Sequence, residues 1–357
     1  MSAQRDDSAD ERPSDREAGV AQFAITTLNG EWMNDWFAPD SAGGAAWRPT
    51  FVRDGVECET ERAAGLLAGL IADLDADVVA LQEAPSRAAE LALFLDTHLA
   101  GRYRFLIGDS GGSQKLALLA KPEVGAELVG TADLVEPWLA DVDGDGVVDE
   151  YRFTRDPLVC GLTLDGRPVT VVVAHLKSNF INRGEQMWRD PDRRIEFIRS
   201  ALQNRRRIAN EGMRVRQYLD ARLDEDANSA IVVLGDFNDG PGRDLFEQQY
   251  LAHNVTDLLV GSSYRPETLF GHALVDVPAE LRYSAVFDDF VTEEPQKRIL
   301  LDHIVLSPAM ASSAGVRKAP GSGRIEHDAW AARRTGDGVR RDERATDHRP
   351  ATVVVET

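Results

Sequence analysis

The stretch IVVLGDFNDGPG, Ile231–Gly242, decides how the rest of the chain is read. A run of apolar and small residues makes a core strand, and Asp236, Asn238 and Asp239 follow at its end. An Asx-type turn is the plain reading of GDFN. The other reading is chemical: a rigid strand end holds catalytic groups in place. On a continuing strand, the i, i+2 spacing of Asp236 and Asn238 points both side chains to one face.

The same arrangement recurs. FAITTLN (23–29), DVVALQE (77–83), RFLIG (104–108), LALLAK (116–121), VTVVVAH (169–175), ILLDHIVLS (299–307) and ATVVVE (351–356) are short and rich in branched residues. Such runs predict strands. Between them, Glu61–Leu74 carries Ala63, Leu66, Leu67, Leu70, Ile71 and Leu74 on one helical stripe, with Thr60 as its expected N-cap. A second, arginine-rich helix is expected from about Asp192 to Leu223.

Strands, helices and loops mix without a repeat or a Pro/Gly/Ser linker. The expectation is a disordered N-terminal arm over 1–20, then one α/β domain over 21–357 with an acidic insertion at 141–150. Segments 30–57 and 308–345 read as loops, and Arg333–Arg344 as a mobile surface loop.

Of the 357 residues, 43% are hydrophobic, enough for a sizeable core. No apolar run reaches the ~18 residues that a membrane span needs. The polar N-terminus lacks the apolar segment of a secretory signal, so a cytoplasmic address is expected. Cys58 and Cys160 make neither a disulfide framework nor a cysteine metal site. A net charge of −20 excludes a protein that coats nucleic acid by charge alone, but not an enzyme with a local basic groove.

Polar residues collect where the strands stop. Asn29, Glu83, His175 and Asp236 end early strands, whereas Asp302, Asp347 and His348 stand before late ones. If the late strands run antiparallel to the early ones, these starts and ends meet on one rim. Two sheets packed face to face would gather them in one cleft. Taken singly, Asn29 is an ordinary turn residue, Glu83 a solvated carboxylate, His175 a packing histidine, and DHRP a strand cap.

In order, TLN, LQE, AHLKS, GDFND, LDHIVLS and TDHRP resemble the endonuclease/exonuclease/phosphatase superfamily, over about residues 23–356. FTRDPLVCGL (153–162) also resembles a family segment, and HLKS resembles the bacterial extracellular-nuclease branch more than the lipid-phosphatase branch. The resemblance implies a four-layer α/β sandwich of two mixed β-sheets flanked by helices, hydrolysing phosphoesters with Mg²⁺ or Mn²⁺. Carried over by motif, Glu83 is the principal metal carboxylate, with Asn29 beside it and Asp347 binding or positioning metal. Asp236 activates the attacking water, and Asn238 holds the phosphate or that aspartate. His348 contacts the scissile phosphate with Asp302 fixing its tautomer, and His175 donates to a phosphate oxygen. These residue types suit the reaction, because Mg²⁺ prefers hard oxygen ligands and histidine can donate to growing phosphoryl charge.

One departure stands out. Gln114 occupies the place where pancreatic-type deoxyribonucleases carry a glutamate that pairs with the histidine matching His175. Arg152 and Arg155 are candidates for a phosphate contact, or plain surface arginines.

DVDGDGVVDE (141–150) suggests a second ion. Asp141, Asp143, Asp145 and Asp149 match positions 1, 3, 5 and 9 of a calcium loop, with Gly146 at the turn. Position 12 is Arg152, so the usual glutamate is missing. Either the loop holds a structural Ca²⁺ or it is a plain acidic loop.

Arg193, Arg194, Arg199, Arg205, Arg206, Arg207, Arg214, Arg216 and Arg222 crowd the region after HLKS. They form either a solvated, acid-balanced helix or a positive wall for a nucleic-acid backbone. The favoured expectation is a metal-dependent nuclease cutting DNA without sequence preference. A phosphatase or phosphodiesterase on a lipid or small phosphoester is the alternative. A non-catalytic binding module, and more remotely a Ca²⁺-responsive scaffold, complete the range.

Overall fold

Runs of Val, Ile and Leu pair laterally because both faces of their strands are covered. The computed structural model describes residues 20–38, 44–142, 144–240, 254–311 and 315–357. Residues 1–19 of the expected arm, and Asp143, lie outside the described residues.

Two mixed sheets form. In the first, Gln22–Asn29 lies between Ala351–Glu356, antiparallel, and Val78–Ala84, parallel. Lys115–Ala120 and Arg104–Ile107 extend one side, and the short strands Arg317–Lys318 and Arg324–Ile325 flank the other. In the second, Ile231–Asp236 lies between Arg167–His175, parallel, and Asp302–Leu306, antiparallel. Leu158–Leu164 and Gly125–Leu128 continue beyond Arg167–His175, and Gly271–His272 closes the opposite edge.

Inward-facing residues of both sheets interlock: Ile25, Val78, Leu118 and Val353 from one, Val171, Val173, Leu234 and Ile304 from the other. Outside the first sheet, helices Thr60–Leu74 and Ala88–His98 bury Leu67, Leu70, Leu91 and Phe94. Outside the second, Arg194–Glu225 and Val255–Val260 bury Ile208, Val215, Leu219 and Leu259. The order is helix, sheet, sheet, helix, the four-layer α/β sandwich expected.

Register places the site. His175 lies opposite Asp236, and Asp236 opposite Asp302. The early strands thus end where the late, antiparallel ones begin. Gly235 permits this approach: it has φ 147°, and a Cβ there would stand 1.8 Å from the Ala174 carbonyl oxygen. No other residue fits before Asp236.

Several local expectations fail for long-range reasons. Helix Thr60–Leu74 is capped by Glu59, without a side-chain bond, and not by Thr60. The Glu59 N–H donates instead to Asp342, 2.9 Å away. The run 299–307 divides into Glu294–Ile299, in a separate hairpin, and Asp302–Leu306. Segment 333–344 is anchored, with Arg341 and Asp342 fully enclosed. Among the described residues, no helix is long and apolar enough to cross a membrane.

Candidate active site

Asp236 is the hub. Its carboxylate accepts from Asn29 Nδ2 at 3.0 Å and from the Asn238 backbone N–H at 2.9 Å. His175 Nε2 lies 3.5 Å away and His348 Nε2 3.9 Å away. Asn29, His175, Asp236 and Asp302 are each at most 2% exposed.

The strand stops at Asp236, so Asn238 does not reach the site by strand alternation. It has left-handed φ, 53°, and GDFN forms the Asx-type turn. The turn and the chemical reading coincide, because the turn's N–H grips the Asp236 carboxylate. The Asn238 side chain donates to the Leu176 carbonyl at 3.0 Å, which ties the turn to the end of the His175 strand.

His348 Nδ1 lies 2.6 Å from Asp302 Oδ2. Burial pulls the His348 pKa down, but the charges of Asp302, Asp236 and Asp347 prevail and hold it well above the ordinary value. These neighbours favour the charged form of His348. His175 is the opposite. Burial, with Arg155 and His348 adding, holds its pKa well below the usual value. That direction favours a neutral ring, whose approaches to Asp236 and to Glu83 (3.9 Å) are then polar contacts rather than ion pairs.

Glu83 and Asp347 complete the cluster. Glu83 accepts the Trp32 N–H at 2.8 Å, and Asn29 Nδ2 lies 3.5 Å from its other oxygen. Burial first, then Asp347 and Asp236, push the Glu83 carboxyl up to about 7. Burial also pushes Asp236 up to about 6, with Asp302 adding to it and His348 and the N–H donors opposing. Asp347 is exposed and anchored from below: its neighbour Thr346 donates to the Asn29 carbonyl at 2.7 Å.

Acids that raise one another's pKa in a buried cleft suit a hard cation. Among the described residues, no three His, Cys, Asp or Glu side chains converge as a ready ligand cage. Mg²⁺ does not need one, since one or two carboxylates and waters suffice. Asn29, Glu83 and Asp347 fit that demand.

Arg155 is brought to this cleft and Arg152 is not. Arg155 donates to the His175 and Leu176 carbonyls at 3.3 and 3.1 Å, and its charge acts on Glu83 and Asp236. Arg152 is exposed and pairs with Glu150 at 3.0 Å. Gln114 accepts from Arg155 Nε at 3.4 Å, and no hydrogen bond joins it to His175. His175 Nδ1 and Gln114 Nε2 are both buried without a partner among the described residues.

The acidic insertion does not form a described ligand set. Asp141 accepts the N–H groups of Gly144 and Gly146, and Asp145 that of Val147. Asp149 is exposed in a short strand, and Asp143 is outside the described residues. These contacts add no support for Ca²⁺.

The arginine helix is largely engaged with the protein itself. Arg205 pairs with Asp239. Arg214 donates to the Leu134 and Asp133 carbonyls, and Arg216 to those of Leu259, Val260 and Thr268. Arg193 and Arg222 pair with Glu196 and Glu225. For these residues, internal fastening takes the place of the alternative reading as a positive wall.

Three groups escaped sequence reading. Glu211, fully buried on the long helix, accepts from the Thr154 N–H at 2.9 Å, the Thr154 hydroxyl at 2.7 Å and the Lys177 N–H at 2.7 Å. It fixes the segments before Arg155 and after His175. Arg341 donates to the Glu31 and Gly30 carbonyls at 3.1 and 2.9 Å, and Arg344 pairs with the Glu31 carboxylate at 2.5 Å. Glu31, Trp32 and Glu83 are all left-handed, with φ 51°, 60° and 55°. Strained backbone of this kind gathers at functional sites. A polar residue within an otherwise apolar helix face is the only signal that could have singled out Glu211.

The strand-end acids, the buried histidine pair and the two-sheet sandwich define a class, phosphoester hydrolases. The family model "Endonuclease/Exonuclease/phosphatase family" matches residues 56–348, and the chain belongs to this family. Its members are phosphoesterases, generally dependent on a divalent metal. Asn29 and its strand precede the matched stretch.

Solved structures share the fold at low identity. Caenorhabditis elegans TDP2 has a TM-score of 0.51 at 11% identity, covering 94% of this chain and 98% of its own. D. rerio TDP2 complexed with single strand DNA product gives 0.50 at 16%, covering 94% and 100%. The Bacteroides thetaiotaomicron mannosyl-6-phosphatase Bt3783 gives 0.50 at 14%, covering 93% and 99%. A search of curated proteins finds no significant match.

Proposed function

We propose that this protein is a Mg²⁺- or Mn²⁺-dependent phosphodiesterase that cleaves DNA without sequence preference. The observation that carries the reading is the environment of Asp236. It is buried and oriented by Asn29 and Asn238, and it faces one charged and one neutral histidine.

Asp236 accepts a proton from the attacking water. A carboxyl pushed up to about 6 is a stronger base than an ordinary one and is still ionised near neutrality. His348, held as imidazolium by Asp302, donates to a phosphoryl oxygen as negative charge grows there. Neutral His175 donates from Nε2 to a second phosphoryl oxygen, and Arg155 adds positive charge from behind it. Asn29, Glu83 and Asp347 would hold the divalent ion, which neutralises phosphoryl charge and steadies the leaving oxygen.

The DNA product in the D. rerio TDP2 structure favours a nucleic-acid substrate. A second reading, a phosphatase or phosphodiesterase on a small or lipid phosphoester, is favoured by the engaged arginines of the long helix and the net charge of −20. The test is direct. Wild type and Asp236→Ala are incubated with plasmid, single-stranded DNA, RNA and bis-p-nitrophenyl phosphate, with EDTA, Mg²⁺ or Mn²⁺. DNA cleavage that needs metal and is lost in the variant is the expected result. Hydrolysis of the small diester alone selects the second reading, and no hydrolysis at all rejects both.

A further inference from the structure

Beside Asn238 the surface opens into a cavity of about 670 Å³, within the size range of ligand pockets. Its apolar lining includes Phe197, Phe290, Ile299 and Leu301, and Asn179 and Asn238 stand at its polar edge. The rings of Phe197 and Phe290 pack edge to face, 5.6 Å between centroids.

The cavity adjoins the catalytic cluster through Asn238 and Leu301. Asn238 lends its N–H to Asp236, and Leu301 immediately precedes Asp302. Asn179 Nδ2 donates to the Asn238 carbonyl at 2.6 Å, while Asn179 Oδ1 is buried without a partner among the described residues. Phe180 stands at the rim with 77% of its surface exposed. An exposed aromatic beside a half-apolar cavity marks a binding surface.

The rim charges are mostly satisfied internally. Lys297 pairs with Asp289, Arg205 with Asp239, and Glu185 with Arg189. The Arg183 side chain, also at the rim, has no hydrogen bond or ion pair among the described residues. An occupant that is weakly polar over most of its surface and joined to an anion at the cleft would suit this lining. A double-stranded phosphate backbone does not meet that description, whereas one ring attached to a phosphate does.

We propose that this cavity is a substrate subsite that takes a single flat, weakly polar ring carried by the reacting phosphate. The inference rests on the phosphoester-hydrolase reading and narrows it: the scissile phosphate belongs to an unpaired nucleotide or another ring-bearing ester. Asn179 Oδ1 would accept one hydrogen bond from the ring edge.

The test compares binding of phenylphosphonate and methylphosphonate, two stable anions, by calorimetry on the metal-loaded full chain. Wild type is set against Ala201→Phe, which fills the cavity from the long helix, and Phe180→Ala, which trims its exposed rim. Thermal unfolding confirms that both variants are folded. Wild type should bind the phenyl compound about tenfold or more tightly than the methyl one, and both variants should lose most of that preference. With bis-p-nitrophenyl phosphate, the variants should raise KM and leave kcat near its wild-type value. Equal binding of the two phosphonates by wild type, or a preference that survives in both variants, overturns the subsite. If folded wild type shows the preference, the variants lose it, and no diester is hydrolysed, the subsite stands and the hydrolase reading falls.

Discussion

Asp302 touches His348 at 2.6 Å and is almost completely enclosed. Replacing it by asparagine keeps the shape and removes the charge that sustains the imidazolium. Asp302→Asn should lower kcat by about 10²–10³-fold, with a smaller change in KM, in steady-state kinetics on a small diester. A second histidine pair lies apart from the chemistry. His272 Nε2 and His303 Nδ1 are 3.0 Å apart, and the Leu274 N–H donates to His272 Nδ1. Burial, with His303 and Arg282 adding, pulls the His272 pKa down to about 3. Unfolded, its pKa is about 6.5. Above that pH neither state is protonated, and the residue gives stability no slope. Between about 6.5 and 3 the unfolded chain takes up the extra proton, so stability falls as pH falls. His272→Gln should flatten the decline in urea midpoint between about pH 7 and about pH 5, and an unchanged decline would reject this account.

The segment 341–346 acts as a strap between strands. Arg341 is buried against Glu31 and the Gly30–Glu31 backbone, and Thr346 holds the Asn29 carbonyl. The strap thus joins the turn after Asn29, whose Trp32 N–H grips Glu83, to the segment carrying Asp347. Arg341→Ala leaves Glu31 enclosed with one arginine fewer, and should cost about 3–5 kcal/mol in denaturant unfolding, with Arg341→Lys between it and wild type. This strap was illegible in the sequence. Its charges alternate locally, as those of a solvated loop do, and its partners lie more than 300 residues away. The strand ends carrying Asn29, Glu83, His175, Asp236 and Asp302 were legible, because each interrupts or bounds a buried apolar run with a polar residue. Edge strand Gly125–Leu128 was not: it is largely exposed and has no apolar alternation to betray it. Arg152 and Arg155 could not be told apart in the sequence, because only three positions of the chain separate a surface ion pair from a cleft and the anchor between them, Thr154 held by Glu211, is a long-range contact.

Across the molecule, two sheets bring residues far apart in sequence to one rim, and the acids there repel one another. Asn29 and Glu83 come from the first sheet, His175, Asp236 and Asp302 from the second. A cation shared among these acids would bind the folded chain and not the unfolded one. Saturating Mn²⁺ or Mg²⁺, about 100-fold above Kd, should add about 2.7 kcal/mol. That corresponds to a rise in Tm of about 2–4 °C over the EDTA-treated protein. Glu83→Gln should abolish most of the rise, and a rise undiminished in that variant would place the ion elsewhere.

The central claim is that Asp236 is the base of a metal-dependent phosphoester hydrolysis. Its most direct test is the single-turnover rate of bis-p-nitrophenyl phosphate cleavage by wild type and Asp236→Asn, at saturating Mn²⁺ and with matched melting curves. The account predicts a fall of about 10²–10⁴-fold in the rate with the fold unchanged. A folded variant that cleaves within about threefold of wild type would contradict it.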